Sequence, residues 1–265
     1  MLTLHDLVAS ATLRRPNDAE CPNRAIPGFW VDSRQVQPGG AFIALKGEQQ
    51  DGHDFVGDAF ARGARVALVS RWPQTEQPYA RWEAGRVQAL SEADAELPLC
   101  LKVDDSLTAL QNLAADWRAR FDVRVVAITG SVGKTTTKEL VYSVLSRRYR
   151  TLRSSGNYNN EIGLPLTLLT LDGQHQRVVL EMGMYQLGEI ARLVQIARPS
   201  IGVITNVGPS HLERLGSLER IAQAKAELVE GLPADGVALL NYDDPLVRPM
   251  AQQTRARVFF YGLNP

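Results

Sequence analysis

The chain has 265 residues, 45% hydrophobic and 22% charged, enough length and apolar content to bury the cores of two modest domains. Lys plus Arg and Asp plus Glu number 29 each, so there is no broad positive field to draw in a nucleic-acid backbone or an anionic membrane surface, and any anion must be held locally. Cys21 and Cys100 join no C-x-x-C or Cys/His cluster, which argues against a disulfide scaffold and a structural zinc site. No apolar run reaches membrane-spanning length.

Residues 1–6 show neither the basic region nor the apolar core of a signal peptide, so the cytosol is the expected location. Thr3-x-x-Asp6 ahead of Leu7 and Val8 reads as a helix start, and the short apolar runs 28–31, 41–45 and 65–69 read as strands. Between the last two, 53–63 sets Phe55, Val56, Ala59 and Phe60 at helical spacing and ends at Gly63. Residues 72–98 are polar, Pro-containing and weakly periodic, and are expected to form an edge or loop region rather than a core element. A strand at 98–103 and a helix at 106–121 follow, the helix carrying Leu107, Leu110, Leu113, Ala114 and Trp117 on one side.

Past Phe121 the texture becomes apolar strand, turn and amphipathic helix: 123–129, 135–147, 177–181, 187–197, 201–207, 217–232 and 236–241. Continuous apolar runs such as Val125-Val126-Ala127-Ile128 are those of strands covered on both faces, the grammar of a parallel sheet. Ligands of such sheets bind beyond the carboxyl ends of the strands, so the residues that follow each strand carry the chemistry.

The strongest motif is Gly130-Ser131-Val132-Gly133-Lys134-Thr135-Thr136, placed between an apolar strand and a helix containing Leu140, Val141, Val144 and Leu145. Two glycines let backbone N–H groups turn into one concavity. Lys134 adds a mobile positive charge, the Thr135 hydroxyl suits a Mg²⁺ shell, and the helix N-terminus favours anions. This is ATP-phosphate chemistry, although Ile128 stands where the common G-x-x-x-x-G-K-[ST] pattern has its first glycine. The fold class is therefore α/β: a small mixed α/β N-terminal domain (1–104), a connecting helix (105–121) and a P-loop-type, mostly parallel-sheet ATP-binding domain (122–265).

Glu181 ends the next apolar strand, where a carboxylate suits Mg²⁺. His211 follows the third strand end and could ligate a second metal or contact nucleotide. Lys225 lies in an otherwise amphipathic helix among Ala222, Ala224 and Ala226. Periodicity alone favours a solvated lysine, whereas a partly buried one, with its pKa lowered, could take up CO₂ as a carbamate able to bind metal.

Together, residues 129–136, the stretch Gly156-Asn157-Tyr158-Asn159-Asn160-Glu161-Ile162-Gly163-Leu164-Pro165, Glu181-Met182-Gly183 and residues 211–217 resemble the Mur ligase family. Asp32-Ser33-Arg34 with Val36-x-Pro38-Gly39, and Gly47-x-x-x-Asp51-Gly52-His53-x-Phe55, are similar to that family's uridine-nucleotide-binding domain. Within the family, the 156–165 stretch is most similar to the branch that joins D-alanyl-D-alanine to UDP-N-acetylmuramoyl-tripeptide. The resemblance implies an ADP-forming acid–amino-acid ligase of peptidoglycan synthesis, a cytoplasmic monomer using ATP and two Mg²⁺ ions. It puts Thr135, Glu181 and His211 on magnesium positions, Lys225 on a carbamylated lysine, and Asn157, Asn159 and Asn160 near substrate or nucleotide. Asp32, Ser33 and Arg34 would face the uridine end. Lys46 and His53 are weaker candidates, explained equally well as a solvated lysine and a structural histidine. The family also has a C-terminal domain that the chain is expected to lack, which would leave it inactive alone. The open alternatives are the branch that adds a diamino acid to a UDP-linked dipeptide, a folylpolyglutamate synthetase-like ligase, and a non-catalytic nucleotide-binding module.

Overall fold

A computed structural model describes residues 1–12, 14–84, 89–210 and 212–263. The chain forms two compact units, residues 1–117 and 118–265, the division falling inside one helix.

The first unit runs α1 (Leu4–Thr12), β1 (Phe29–Trp30), β2 (Ala41–Ile43), α2 (Val56–Ala61), β3 (Val66–Val69), β4 (Ala80–Glu83), α3 (Glu92–Ala95), β5 (Leu99–Lys102) and α4 (Ser106–Ala119). Its five strands pair in the order β1-β2-β3-β5-β4, every pairing parallel. Phe42, Val56, Phe60, Val69 and Cys100 build the core under α2. Asp32 and Asp51 each cap a 3-10 turn, Ser33–Gln35 and Gly52–Phe55 respectively, as short acceptors do where a chain leaves extended backbone.

The 72–98 region holds the expected sheet edge but corrects the expectation that it adds nothing to the core. Ala80–Glu83 is an edge strand, and Trp82, 2% exposed, is among the largest side chains in the core. Ala80 and Trp82 face inward while Arg81 faces water. Four residues of alternation in a polar, Pro-flanked run are too few to read as a period, and only the partner strand β5 gives them a face.

The second unit runs β6 (Arg124–Thr129), α5 (Lys134–Leu145), β7 (Thr151–Arg153), α6 (Gly163–Leu168), β8 (Arg177–Glu181), α7 (Glu189–Ala197), β9 (Ile201–Ile204), α8 (Leu212–Leu215), α9 (Leu218–Glu230), β10 (Val237–Asn241) and β11 (Arg257–Tyr261). The six strands pair in the order β11-β10-β9-β6-β8-β7, again all parallel. Sheet and helix meet in a core of Val126, Ile128, Val179 and Val203, on which Val141, Tyr142 and Leu145 of α5 pack. Two of the apolar residues of α5, Leu140 and Val144, stand 63% and 71% exposed. The helix buries Lys138 and presses Val141, Tyr142 and Leu145 on the sheet, so Leu140 and Val144 fall on its outer side.

Register sets the functional edge. Ile128 lies beside Glu181 and Thr129 beside Ile204, so β8, β6 and β9 end level with one another. The turn after β6 is thereby flanked by the end of β8 on one side and the turn after β9 on the other.

Candidate functional site

The phosphate-type loop grows out of β6 at Gly130, whose φ of +151° and close approach to the turn after β9 both demand glycine. A Cβ there would fall 1.8 Å from Thr205 Oγ1. Gly133, at φ +85°, turns the chain into α5 and leaves the helix without a side-chain cap, so the first-turn N–H groups face outward as an anion site.

The loop is held from the turn after β9. Val132 N–H donates to Asn206 Oδ1 at 2.9 Å, and Asn206 Nδ2 returns a bond to Val132 O at 3.0 Å. Thr205 Oγ1 donates to Val132 O at 2.7 Å, and Ser131 N–H to Asn206 O at 3.0 Å. Gly208 N–H and the Ser210 hydroxyl both donate to Ser131 Oγ. That turn is braced in its own right. Asn241 Nδ2 at the end of β10 donates to Thr205 O, and Asp244 accepts Val207 N–H at 2.7 Å. Thr205, Asn206 and Asp244 went unnoticed in the sequence, since no spacing links them to residues 130–136. Their only legible signal was position just past strand ends.

Glu181 stands on the other flank of the loop. One carboxylate oxygen accepts the Thr135 hydroxyl at 2.8 Å and the other accepts Asn159 Nδ2 at 2.9 Å. Asn159 is itself fixed because Gly183 N–H donates to its carbonyl. Asn160 lines a cavity together with Asn159, Gly130 and Lys134, but its side-chain oxygen accepts the N–H groups of Ile162 and Gly163 at the start of α6. Asn157 is exposed, and its carbonyl accepts Asn159 N–H.

Lys134 Nζ donates to Gly130 O at 2.8 Å and Ser131 O at 3.2 Å, folding back over its own loop. Burial lowers its pKa below the usual lysine value, against the pull of Glu181. Of the two sequence readings of Lys225, the structure takes the buried one over the solvated one. The side chain is 2% exposed and lines the same cavity of ≈ 170 Å³ as Gly130, Lys134, Asn159 and Glu189. Burial first, and the positive charge of Lys134 second, bring its pKa from 10.5 to about 7, so a large share of the amine is neutral near pH 7. Lys225 sits on α9, which packs on α7 and β6, with Ala224 and Ala226 buried beside it.

A hydroxyl and a carboxylate 2.8 Å apart are hard oxygen donors of the kind Mg²⁺ takes in small number, with water and phosphate oxygens filling the rest. Thr135 and Glu181 therefore fit that ion. His211 lies outside the described residues. Thus Lys134, Thr135, Asn159, Glu181 and Lys225 converge at one sheet edge.

The remaining candidates belong to the first unit. The Asp32 carboxylate accepts Arg34 N–H and two guanidinium N–H groups at 2.8–3.0 Å, and Arg34 holds its pKa down at about 2. Ser33 is buried and bonded to Asp58. His53 is buried, with Nδ1 at Asp51 and Nε2 accepting Ser70 N–H, whereas Lys46 is exposed and pairs through its backbone with Asp51 in an isolated antiparallel β-bridge.

Among the described residues no helix is long and apolar enough to cross a membrane. Residues 128–265 match the Mur ligase middle domain and residues 26–118 the Mur ligase family catalytic domain. A UDP-N-acetylmuramoyl-tripeptide–D-alanyl-D-alanine ligase of Synechocystis sp. is 43% identical over 90% of this chain and 49% of its own length. The structure of MurF from Acinetobacter baumannii superposes with a TM-score of 0.80 at 32% identity, covering 98% of this chain and 53% of that one. The structure of a MurF ligase from Thermotoga maritima in complex with ADP superposes with a TM-score of 0.74 at 33% identity, covering 90% and 51%. The chain spans about half the length of the relatives it matches. With both domain models matched along an α/β chain whose phosphate-type loop sits between Glu181 and Asn206, the chain belongs to the Mur ligase family.

Proposed function

We propose that this chain provides the nucleotide- and UDP-substrate-binding parts of an ATP-dependent, ADP-forming carboxylate–amine ligase. The ligase joins D-alanyl-D-alanine to UDP-N-acetylmuramoyl-tripeptide in the cytoplasm, in the synthesis of peptidoglycan precursors. The observation that carries this reading is the convergence of Lys134, Thr135, Asn159, Glu181 and Lys225 on one sheet edge, with the two lysines in one cavity. The 43% identity to a ligase of that name supports the choice of substrates.

In this reading residues 1–104 hold the UDP end, with Asp32, Ser33 and Arg34 at the uridine and Lys46 and His53 nearby. Residues 105–121 connect, and residues 122–265 hold ATP through Gly130–Thr136. A carboxylate oxygen of the tripeptide attacks the γ-phosphorus and ADP leaves, giving an acyl phosphate. The amine of D-alanyl-D-alanine then attacks the acyl carbon, phosphate leaves, and the nitrogen gives up a proton. Little covalent work falls to the protein, which positions the reactants and balances charge. Lys134, released from the Gly130 and Ser131 carbonyls, turns its ammonium onto the phosphates, and the first-turn N–H groups of α5 hold them in place. Mg²⁺ held by Thr135 and Glu181, with a second ion at His211 and a carbamate on Lys225, would supply neutralisation of phosphate charge. Asn157, Asn159 and Asn160 border the acyl-phosphate region.

Calorimetric titration with MgADP and with UDP-N-acetylmuramoyl-tripeptide tests the reading. Both bind the wild-type chain, and Lys134→Ala loses at least about tenfold in MgADP affinity with the UDP ligand unaffected. Unchanged MgADP affinity would overturn the loop assignment, and absence of UDP-ligand binding would overturn the substrate assignment.

A further inference from the structure

Lys138 has no part in that chemistry, yet it is 1% exposed. Lysine is almost never buried to that extent without partners. Its Nζ donates to the carbonyl of Ser154 at 3.0 Å and lies 3.2 Å from Glu139 Oε1. Ser154 directly follows β7, and its N–H donates to Val179 O at 3.1 Å. Its hydroxyl accepts the backbone N–H of Glu181 at 3.2 Å. Ser154 is therefore tied to the phosphate-loop helix through Lys138 and to the Glu181 strand through its hydroxyl and N–H.

This tie matters because β7 is an edge strand that hydrogen-bonds to β8 alone, so the sheet holds it from one side. The other side is α5. Glu139 pairs with Arg153, the guanidinium of Arg153 sits 4.2 Å from the Tyr142 ring centre, and Lys138 completes the attachment at Ser154. The chain then runs from Ser154 to Asn159, whose amide holds one oxygen of Glu181 while Thr135, one turn before Lys138 on the same helix, holds the other.

We infer that Lys138 is a positioning residue for Glu181: by tying Ser154 to α5 it sets the Glu181 N–H and the segment that presents Asn159, and so aims the carboxylate at Thr135. The inference rests on the reading of Thr135 and Glu181 as the magnesium site of the bound nucleotide. Groups that orient a metal ligand from behind typically cost about 10–100-fold in metal affinity when removed.

Hydrogen exchange of the metal-free chain and calorimetry with ADP, with and without Mg²⁺, test it. Lys138→Met keeps the length of the side chain and removes its donor. The expected result is faster exchange over residues 154–160 and MgADP binding weakened about tenfold, with metal-free ADP binding unchanged. Ser154→Ala keeps the carbonyl that Lys138 uses and removes only the hydroxyl, and it should weaken MgADP similarly. The double variant should bind no more weakly than the weaker single variant, as expected when two residues act along one route. A folded Lys138→Met with wild-type exchange and wild-type MgADP affinity overturns the inference. So does additive loss in the double variant. If Lys138→Met does not fold, wild-type MgADP affinity in Ser154→Ala overturns it alone. If the wild type binds ADP equally well with and without Mg²⁺, the magnesium reading fails, and faster exchange in the variants then still supports the tie of Ser154 to α5.

Discussion

Replacing Lys225 by Met should make the protein more stable, and by an amount that depends on pH. The site buries an amine whose pKa falls from 10.5 in water to about 7, with burial the larger cause and Lys134 the second. At ~1.4 kcal/mol per pH unit that gap corresponds to a ceiling of ~5 kcal/mol, and solvent penetration makes about 2–4 kcal/mol the reasonable expectation. The sign follows from proton linkage. Between about pH 7 and 10.5 the unfolded chain binds the proton and the folded chain does not, so stability rises with pH across that window. Below pH 7 the cost is fully present, and above 10.5 it is gone. Met has similar length and no charge, so the variant should gain most at pH 6–7 and converge on the wild type near pH 10. Urea unfolding in CO₂-free buffer followed by far-ultraviolet circular dichroism measures the gain. A variant less stable than wild type at pH 7, or a difference that ignores pH, would refute the argument.

Two further outcomes follow from the geometry. Gly130→Ala places a methyl group 1.8 Å from Thr205 Oγ1 at a φ of +151°, and should cost about 2–4 kcal/mol in urea unfolding together with a loss of MgADP affinity by calorimetry. Glu227 of α9 accepts Gly188 N–H at 2.7 Å and Ala191 N–H at 2.9 Å, capping α7 at a glycine that cannot cap itself. Glu227→Ala should therefore lose about 1–2 kcal/mol and speed hydrogen exchange at the start of α7, whereas unchanged exchange there would show that the cap contributes nothing.

Much of the molecule was legible from sequence where local rules suffice. The glycines around Lys134 announce an anion cradle because only glycine permits that backbone. The unbroken apolar runs of β6, β8 and β9 point to a parallel sheet because helices on both faces bury every residue of such a strand. Glu181 stands out by a topological rule, that ligands of such sheets bind beyond strand ends, and the fold puts its carboxylate on Thr135 and Asn159. Residues whose roles come from distant neighbours were not legible. Trp82 owes its burial to β5, Asn206 reaches Val132 across 74 positions of chain, and Leu140 is exposed because Lys138 takes the inner face instead. Lys225 shows the division most sharply. Its helical spacing speaks of a solvated amine, and no local pattern records that α7 and β6 close over it beside a second lysine. Composition and periodicity marked the longer helices and strands and pointed to the loop at Gly130–Thr136, because those signals depend on neighbours in the chain, whereas the short strands β4, β7 and β11 carried no such signal. At the phosphate-type loop, burial, charge state and the partners of polar groups were decided by the register of β6 between β8 and β9, which only the folded chain possesses.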